Sequence, residues 1–542
     1  MVTPIRARDA LGNNVFLALT ALALGLLIAR LPLAVSLSLI GGGALLLAAL
    51  LEPLAGLAFM LLLGPAEPLL LAAYPAIQIP WGQIGVAIFV GGWTLRSLAR
   101  REFRWPLLAI TIPFAVYLFA ITLSFTTQQV RSPFAAMQEL VKWAEMYLVA
   151  GIVVETAGRK KLGWVIAILF LVGMTQAAIG FWQFQFRGHG PEGFRILGTH
   201  FRAYGTFEQP NPFGGFMGLV WPIAAVVTIQ LGILISQRQF RTRITQTRNA
   251  HASRVADSSK NNQRISAFHQ RYQRSIFIIA AITTTSTLAA LFLSFSRGAW
   301  LGAAAAAGVM LIFWPRRRWV GLGLAAGGLT AFLILYNLGL LPAAVSARFA
   351  DVGDFVQVYD VRGVHINDSN FAIVERLAHW QAAINMAEAN PVFGVGLNNY
   401  EYAYDDYRLI NWKYALGHAH MIYLNVLAET GFVGLAAYLF LWGGVVFTTV
   451  RLINRKDLSG SLRAPSLRYG VLRKNLTGLD RALAVGLLGV WAHLSTHQLL
   501  DNLYVGNIAL YLGALLGVLC ILYEAPSAKR NPQASRFASY VS

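Results

Sequence analysis

The chain has 542 residues, of which 56% are hydrophobic and only 13% are charged, and its mean hydropathy is +0.55. About a quarter of the residues of a soluble globular protein are charged, so this composition excludes an ordinary soluble enzyme and predicts a membrane protein. The formal net charge is +20 and there is one cysteine; Lys and Arg stand in short clusters between apolar runs, which argues against nucleic-acid binding, and a lone cysteine excludes an internal disulfide.

Apolar runs of about 20 residues, the length of helix that crosses a bilayer, predict about fourteen membrane spans. Because several runs are short or contain Gly and Pro, we expect an all-α polytopic transmembrane helical bundle of about 12–14 spans. In chain order the predicted spans cover residues 13–30, 33–51, 54–73, 82–98, 105–125, 134–155, 163–182, 211–235, 275–294, 298–314, 319–341, 419–450, 482–499 and 504–523.

The Lys and Arg clusters predict the topology, because these residues accumulate in cytoplasmic loops. The segment 342–417 falls outside and contains nine acidic and five basic residues, which is the opposite bias. We therefore expect a multi-pass protein of the cytoplasmic (inner) membrane with both termini in the cytoplasm. With the N-terminus inside, alternation places every strong basic cluster inside: residues 100–104, 159–161, 238–274, 316–318 and 451–481.

This topology divides the chain into three parts. Residues 1–341 contain the first eleven spans, 342–418 form a large extracytoplasmic loop, and 419–542 contain three spans and a cytoplasmic tail. A basic connector at about 236–275 is rich in Gln, Asn, Ser and Arg, which is typical of a mobile loop. In the outer loop, the segment from Phe371 to Ala389 predicts an amphipathic helix that lies on the membrane or caps the bundle. Its apolar positions at helical spacing are Ile373, Leu377, Trp380, Ala383, Ile384 and Ala387.

The most informative segment begins at Gly417, where the outer loop enters the twelfth predicted span. His420 is placed there to exchange protons with bulk water, and a histidine of ordinary pKa can act as a general base toward a hydroxyl. The alternative is an interfacial histidine without a chemical role. His418 and His420 also form a His-x-His pair, but the sequence shows no third ligand, so no metal site is predicted.

Two arginines stand against the positive-inside tendency. Arg202 lies in the outer loop before the eighth predicted span, and Arg297 lies in a tight outer turn between the ninth and tenth. A planar, permanently charged guanidinium suits bidentate binding of phosphate. Contact with lipid headgroups or a helix end is the simpler explanation for one arginine, but two arginines and a histidine on one face favour an anion-binding catalytic site.

Further residues are supporting candidates beside His418. His497 and Asp501 are four residues apart at the outer end of the thirteenth predicted span, so we expect them to share a helix face, either as a functional pair or in helix-end packing. Glu401 and Asp405 lie in the acidic outer loop. They are candidates for binding sugar hydroxyls or an acceptor, with solvated carboxylates as the alternative.

These segments resemble the O-antigen ligase and O-antigen polymerase family of polytopic membrane glycosyltransferases, from about the sixth span to the fourteenth. The ligase signature is His, then Asn, Ser or Gln, nine residues and Gly-x-x-Gly. The spacing of His420, Gly431 and Gly434 fits, whereas Met421 departs from the signature, so the resemblance is to the broad family. Three other segments also resemble the family: residues 202–213, 294–300 and 390–396.

The resemblance implies a GT-C-like fold and transfer of a glycan from polyprenyl pyrophosphate to an acceptor hydroxyl on the outer face. Arg202 and Arg297 would stabilise the leaving pyrophosphate, and His420 would assist the attacking hydroxyl. A single direct displacement implies inversion at the anomeric carbon, with neither a metal nor another cofactor. The implied partners are the lipid-linked glycan donor, a glycan or lipid-glycan acceptor and membrane lipid, but no nucleic acid.

Other functions remain as alternatives. The acceptor distinguishes a ligase from a polymerase or a protein glycosyltransferase, and the sequence does not identify it. Glu139, Lys142 and Glu145 at helical spacing within the sixth predicted span also suit a secondary transporter of a small anion or solute, unless they simply pair with one another. Transporters bind substrates near the midplane between repeated halves. No repeat is visible and the notable residues lie at the outer surface, so glycan transfer is favoured.

Overall fold

A computed structural model of the chain describes residues 42–44, 47–73, 75, 80–249, 259–343, 345–346, 360–367, 370–455 and 467–524. The first predicted span and most of the second therefore lie outside the described residues, as does most of the cytoplasmic tail. The described residues form helices joined by loops, with one short antiparallel pairing of strands β1 (Arg195–Ile196) and β2 (His200–Phe201). This architecture confirms the predicted all-α polytopic bundle.

The α-helices of the described residues are numbered here in chain order. They are α1 (Pro53–Ala73), α2 (Trp81–Ala99), α3 (Thr111–Leu123), α4 (Pro133–Gln185), α5 (Pro210–Asn249), α6 (Ser259–Leu293), α7 (Arg297–Phe313), α8 (Arg318–Asn337), α9 (Phe371–Ala389), α10 (Tyr400–Tyr407), α11 (Ile422–Ile453), α12 (Leu467–His497) and α13 (Ile508–Tyr523). Two short 3₁₀ segments, Ser124–Thr126 and Glu192–Phe194, complete the helical structure.

Among the described helices, α1, α4, α5, α6, α8 and α11 contain stretches that are long and apolar enough to cross a membrane. The apolar helices α3, α7 and α13 are shorter. Helix α4 has 53 residues and bends at Gly158, where φ is 47° and ψ is −160°. Its two halves correspond to the separate predicted spans 134–155 and 163–182. The direction of the helix changes at Gly158 alone, and no loop separates the two halves.

The predicted mobile connector at about 236–275 differs from the structure. Helix α5 continues to Asn249 and α6 begins at Ser259, so most of the connector is helical, while residues 250–258 lie outside the described part. The segment is polar but contains neither Gly nor Pro. Gln and Arg are good helix formers, and nothing in the sequence interrupts a helix that starts in the membrane.

Helices α5 and α7 approach α12 closely through glycines. A Cβ on Gly215 would lie 2.9 Å from Cε1 of His497, and a Cβ on Gly298 would lie 2.8 Å from its Cδ2. One turn further along α5, a Cβ on Gly218 would lie 1.8 Å from Nε2 of His493. Side chains at these places would collide with the imidazoles. The glycines therefore create the space in which two buried histidines of α12 are held.

The outer loop folds onto the bundle through α9, whose bounds are the predicted ones. Five of its six predicted apolar positions are buried, and Ile384 is partly buried. The first of them pack with Trp412 and Met421 before α11 and with Leu424 in its first turn. The helix therefore caps the bundle, which was one of the two predicted placements.

A second segment of the outer loop forms hydrogen bonds with α11 next to a bend in that helix. The N–H groups of Val395 and Gly396 donate to the carbonyls of Ala428 and Glu429, both at 2.9 Å. Helix α11 bends directly afterwards at Gly431, where φ is 63° and ψ is −166°. The bend frees carbonyls that a straight helix would use internally, and the loop occupies them.

Several predicted cytoplasmic cations meet at one end of the bundle. Arg159 forms an ion pair with Asp480 at 2.5 Å and donates to the carbonyl of Leu522 at 2.7 Å. Arg318 donates to the side chain of Asn454 at 2.6 Å. Helix α7 ends near this group and begins at the opposite end of the bundle. The basic clusters and the predicted site thus occupy different ends, while the compartment that each end faces stays a prediction.

Replacing Gly431 by Ala should destabilise the protein. The backbone conformation at Gly431 is one that only glycine adopts readily, which costs another residue about 1–3 kcal/mol. In addition, an added Cβ would lie 2.3 Å from the carbonyl carbon of Val392. We expect a lower midpoint of thermal unfolding in detergent, followed by tryptophan fluorescence.

Gly443→Ala is the matched control, because it lies on the same helix and a Cβ there meets nothing within 4 Å. This variant should unfold at or slightly above the wild-type temperature, since Ala is the better helix former. Equal midpoints for the two variants would show that the bend at Gly431 is not required for stability.

Candidate active site

Arg202 and Arg297 are held side by side by one turn of the chain. Arg202 follows β2, and its Nε donates to the carbonyl of Ser294 at 2.8 Å while Nη2 donates to Oδ1 of Asn211 at 3.0 Å. Ser294 lies in the turn between α6 and α7, and Arg297 is the first residue of α7. The two predicted arginines therefore come together although they are distant in sequence.

Both arginines line a cavity of about 120 Å³. The predicted residues His497 and Asp501 line it as well, so four of the predicted site residues meet in one place. Arg376 of α9 is a further charged group on its wall. The remaining lining residues are Asn211, Phe295, Ser296, Gly298, Ala372 and Leu500.

Arg376 was missed by the sequence interpretation, although a signal was present. It lies three residues after Ile373 and four before Trp380, so it shares the apolar face of α9. It is also a cation in the outer loop 342–417, whose bias is acidic. A cation on the apolar face of an amphipathic helix needs a compensating partner, which makes such a residue a candidate for a charged site.

The prediction that His497 and Asp501 share one face of a helix is wrong. Helix α12 ends at His497, and the N–H of Leu500 donates to the carbonyl of His497 at 2.9 Å in the turn that follows. Asp501 therefore reaches the cavity from a turn. Both residues are buried, and they meet at the cavity through the fold of the turn.

His418 and His420 form a tightly bonded turn in front of α11. The N–H of His420 donates to Nδ1 of His418 at 3.0 Å, and the N–H of Ala419 donates to Oδ1 of Asn425 at 3.0 Å. His420 has a φ of 54°, a left-handed conformation that is uncommon for a residue other than glycine. The side chain of His418 thus helps to hold His420 in a conformation that the backbone alone disfavours.

This turn lies beside the cavity, and neither of its histidines lines it. Nε2 of His418 is 4.0 Å from Oδ1 of Asp501, which connects the turn to the cavity wall. The rings of His418 and His420 are 4.6 Å apart between centroids. Nε2 of His420 is buried and has no hydrogen-bond partner among the described residues. Asp501 therefore stands between the arginines and the histidines.

Burial keeps the histidines of this region neutral. Desolvation, assisted by the neighbouring His418 and Arg376, lowers the pKa of His420 to about 2. Desolvation also lowers the pKa of His418, against the opposing effect of Asp501. The pKa of His379, whose Nδ1 lies 3.0 Å from the hydroxyl of Tyr400, falls to about 4 for the same reason. At neutral pH each imidazole therefore has one unprotonated nitrogen.

The predicted acidic residues of the outer loop lie elsewhere. Asp405 forms an ion pair with Arg408 at 2.8 Å, and neither Asp405 nor Glu401 lines the cavity. Both are exposed residues of α10. A role for them in binding sugar hydroxyls stays a prediction.

The charged cluster of the sixth predicted span is internally paired. Nζ of Lys142 lies 2.5 Å from Oε2 of Glu139 and donates to the carbonyl of Tyr504 at 2.9 Å. Glu145 accepts a bond from Gln83 at 3.4 Å. The structural alternative of mutual pairing therefore holds for Glu139 and Lys142, whereas the partner of Glu145 lies on α2.

The structure supplies the third ligand that the His-x-His pair lacked in the sequence. Donor atoms of His418, His420 and Asp501 lie within 4.8 Å of one another. However, Nδ1 of His418 already accepts a hydrogen bond, so the proton of the neutral ring is on Nε2, facing Asp501. A metal bound there would have to displace that proton, and the nearby Arg376 would repel a cation. We therefore interpret the cluster as a turn closed by the hydrogen bond from the His420 N–H to Nδ1 of His418, with the Asp501 carboxylate beside it.

Zinc should not stabilise the protein through these residues. A ligand that binds only the folded state at a concentration of about a hundred times its dissociation constant adds about 2.7 kcal/mol of stability. We expect the same zinc dependence of the thermal unfolding midpoint for the wild type and for His420→Ala. A zinc-dependent rise that His420→Ala abolishes would contradict the hydrogen-bonded interpretation.

The comparison with known families agrees with the sequence resemblance. Residues 279–439 match the family model described as O-antigen ligase, a stretch that contains Arg297, Arg376 and His420. Arg202 and Asp501 lie before and after it. The chain has no match among curated proteins. Residues 279–439 of this multi-pass membrane protein are therefore similar to the O-antigen ligase family, in agreement with the spacing of the histidine and glycine signature.

Proposed function

We propose that this protein transfers a glycan from polyprenyl pyrophosphate to an acceptor hydroxyl at the outer face of the cytoplasmic membrane. The observation that carries the proposal is the convergence of Arg202 and Arg297 on one cavity beside His420. The family match supports a ligase-type membrane enzyme, and the donor, the orientation and the mechanism are part of the proposal.

The cavity suits a diphosphate leaving group. When the bond to the sugar breaks, the electron pair moves onto the pyrophosphate, so groups that stabilise negative charge lower the barrier. The two guanidinium groups supply positive charge and paired N–H donors. Arg297 also begins α7, and the N-terminus of a helix of this length adds a partial positive charge. Pyrophosphate would leave without a proton donor.

The acceptor would approach from the side of His420. Its hydroxyl oxygen forms the new bond to the anomeric carbon as the bond to pyrophosphate breaks, and His420 takes the hydroxyl proton. Because Asp501 lines the cavity with the arginines and is also close to the histidine turn, we place the anomeric carbon between the nucleophile and the leaving group. A single displacement in this arrangement inverts the anomeric configuration and requires no metal.

A base with such a low pKa needs help from the substrate. The free enzyme keeps His420 in its proton-accepting form, but a strongly depressed pKa also makes it a weak base. The negative charge of a bound diphosphate offsets the nearby Arg376, which raises the pKa of His420 in the complex. Donor binding would thus activate the base before the acceptor is attacked.

In the described part of the chain, the three charges that motivated the transporter have partners. Glu139 and Lys142 form an ion pair, and Glu145 accepts a hydrogen bond from Gln83. The acceptor stays open among a lipopolysaccharide core, a second repeat unit and a protein.

Transfer from a defined lipid-linked oligosaccharide tests the proposal. Arg297→Gln should lower kcat by about 10²- to 10³-fold, the usual loss when one charge-stabilising group is removed. His420→Gln should lower it by about 10²- to 10⁴-fold, the usual contribution of a general base. The rate of product formation by the reconstituted full chain is the measurement.

Arg195→Gln is the control, because Arg195 lies on the same hairpin as Arg202, is exposed and pairs with Glu192. It should transfer glycan at the wild-type rate. Undiminished transfer by both Arg297→Gln and His420→Gln would refute the proposed site, and solute uptake without transfer would favour the transporter.

The pH profile of kcat/KM should lack the fall at acid pH that protonation of an ordinary histidine base causes. Because burial depresses the pKa of His420 in the free enzyme, lowering the pH from about 8 to 5 does not protonate it, and kcat/KM should stay level over that range. The kcat profile should show its acid limb at higher pH than kcat/KM, since bound diphosphate raises the pKa. An acid limb of kcat/KM near pH 6.5 would contradict this assignment.

A further inference from the structure

We propose that Arg376, carried by the outer-loop helix α9, is a third phosphate-binding residue that makes the cavity select a diphosphate carrier over a monophosphate. This inference rests on the proposed function, because it assigns the cavity to the phosphate part of the donor. It adds a residue from a separate structural element and a specific ligand preference.

The position of Arg376 follows from the packing of α9. Ile373 and Trp380 on the same face are buried, which fixes the rotation of the helix against the bundle. Arg376 then faces inward, and both it and Ala372 line the cavity with Arg202 and Arg297. Helix α9, which caps the bundle, therefore places the guanidinium group of Arg376 in the site. The guanidinium groups of Arg202 and Arg297 belong to parts of the chain outside this cap.

Charge counting favours a diphosphate. Among the cavity-lining residues, three arginines contribute +3 and Asp501 contributes −1, which leaves +2. A diphosphate that links a lipid to a sugar has one ionised oxygen on each phosphate and thus carries two negative charges. The corresponding monophosphate diester carries one. Over the lining residues alone, the two charges of the diphosphate match this count, and Arg376 contributes one of the positive charges.

The electrostatic surroundings of Arg376 support this assignment. Desolvation lowers the pKa of its guanidinium, Asp501 raises it and Arg297 lowers it further. Arg376 is thus near enough to both groups for their charges to matter. Asp501 attracts the guanidinium, and an entering phosphate would add a second negative charge near it. A partly buried cation gains more from such an anion than an exposed one, because the surrounding dielectric is lower than that of water.

The alternative is that Arg376 only anchors α9 to Asp501. A structural anchor would affect stability and all ligands equally, whereas a phosphate-binding residue would affect the diphosphate more than the monophosphate. The ratio of the two affinities is therefore the decisive quantity.

The experiment measures inhibition of glycan transfer by farnesyl methyl pyrophosphate and by farnesyl methyl phosphate, diesters that carry two negative charges and one, with the reconstituted full chain. Arg376→Gln should raise the inhibition constant of the pyrophosphate by about ten- to a hundredfold, which is typical of one lost charge-assisted contact. The inhibition constant of the monophosphate should change much less. The preference of the protein for the pyrophosphate over the monophosphate should therefore become smaller. Arg376→Lys should show an intermediate loss, because it keeps the charge but not the bidentate geometry.

Arg408→Gln is the matched control, since Arg408 also belongs to the outer loop but pairs with Asp405 and does not line the cavity. It should leave both inhibition constants unchanged. If Arg376→Gln fails to fold, as judged by its thermal unfolding, the lysine variant provides the test.

Two outcomes would overturn the inference while the proposed function stands. Unchanged constants for Arg376→Gln and Arg376→Lys, with weaker binding of both inhibitors by Arg297→Gln, would show that Arg376 does not contact phosphate. Equal loss of both inhibitors in the Arg376 variants would show an anchor. Failure of the proposed function is distinct, because the wild type would then transfer no glycan even without an inhibitor.

Discussion

The bond between the outer loop and the opened helix α11 fixes the geometry on which the site depends. The N–H groups of Val395 and Gly396 occupy carbonyls of α11 just before its bend at Gly431. These hydrogen bonds join a segment that follows α9 in the sequence to a part of α11 that follows the turn of His420. They therefore hold two parts of the site together: Arg376 on α9, and the turn that carries His420. Hydrogen bonds at the helix bend are strong constraints because an unpaired carbonyl in an apolar bundle is costly.

The cavity brings several charged side chains together in a protein that is mostly apolar. Arg202, Arg297 and Arg376 repel one another, and Asp501 is the one acidic side chain on the cavity wall. Such an arrangement is unfavourable by itself and becomes favourable when an anion enters, which is typical of a binding site rather than of a structural ion pair. Burial is the main cause that keeps the neighbouring His418 and His420 neutral, and the positive charge of Arg376 adds to it.

The site is assembled from parts of the chain that lie far apart. The family-matched stretch supplies Arg297, Arg376 and His420, whereas Arg202 and Asp501 come from the segments before and after it. Glycines of α5 and α7 allow these helices to close around His497 of α12. A family match over one part of the chain therefore describes only one wall of the cavity, and the remaining walls depend on how the helices pack.

The sequence by itself determined the properties that depend on local patterns. Hydropathy predicted the helices, periodicity predicted α9, and departures from the positive-inside tendency identified Arg202 and Arg297. These signals suffice because helix formation in a membrane requires only that neighbouring residues satisfy the backbone and face lipid. The tertiary structure alone decided that Arg376 joins the cavity, that Asp501 reaches it from a turn, and that His420 stands behind Asp501. Those positions depend on contacts between residues distant in sequence, which a single chain pattern does not encode.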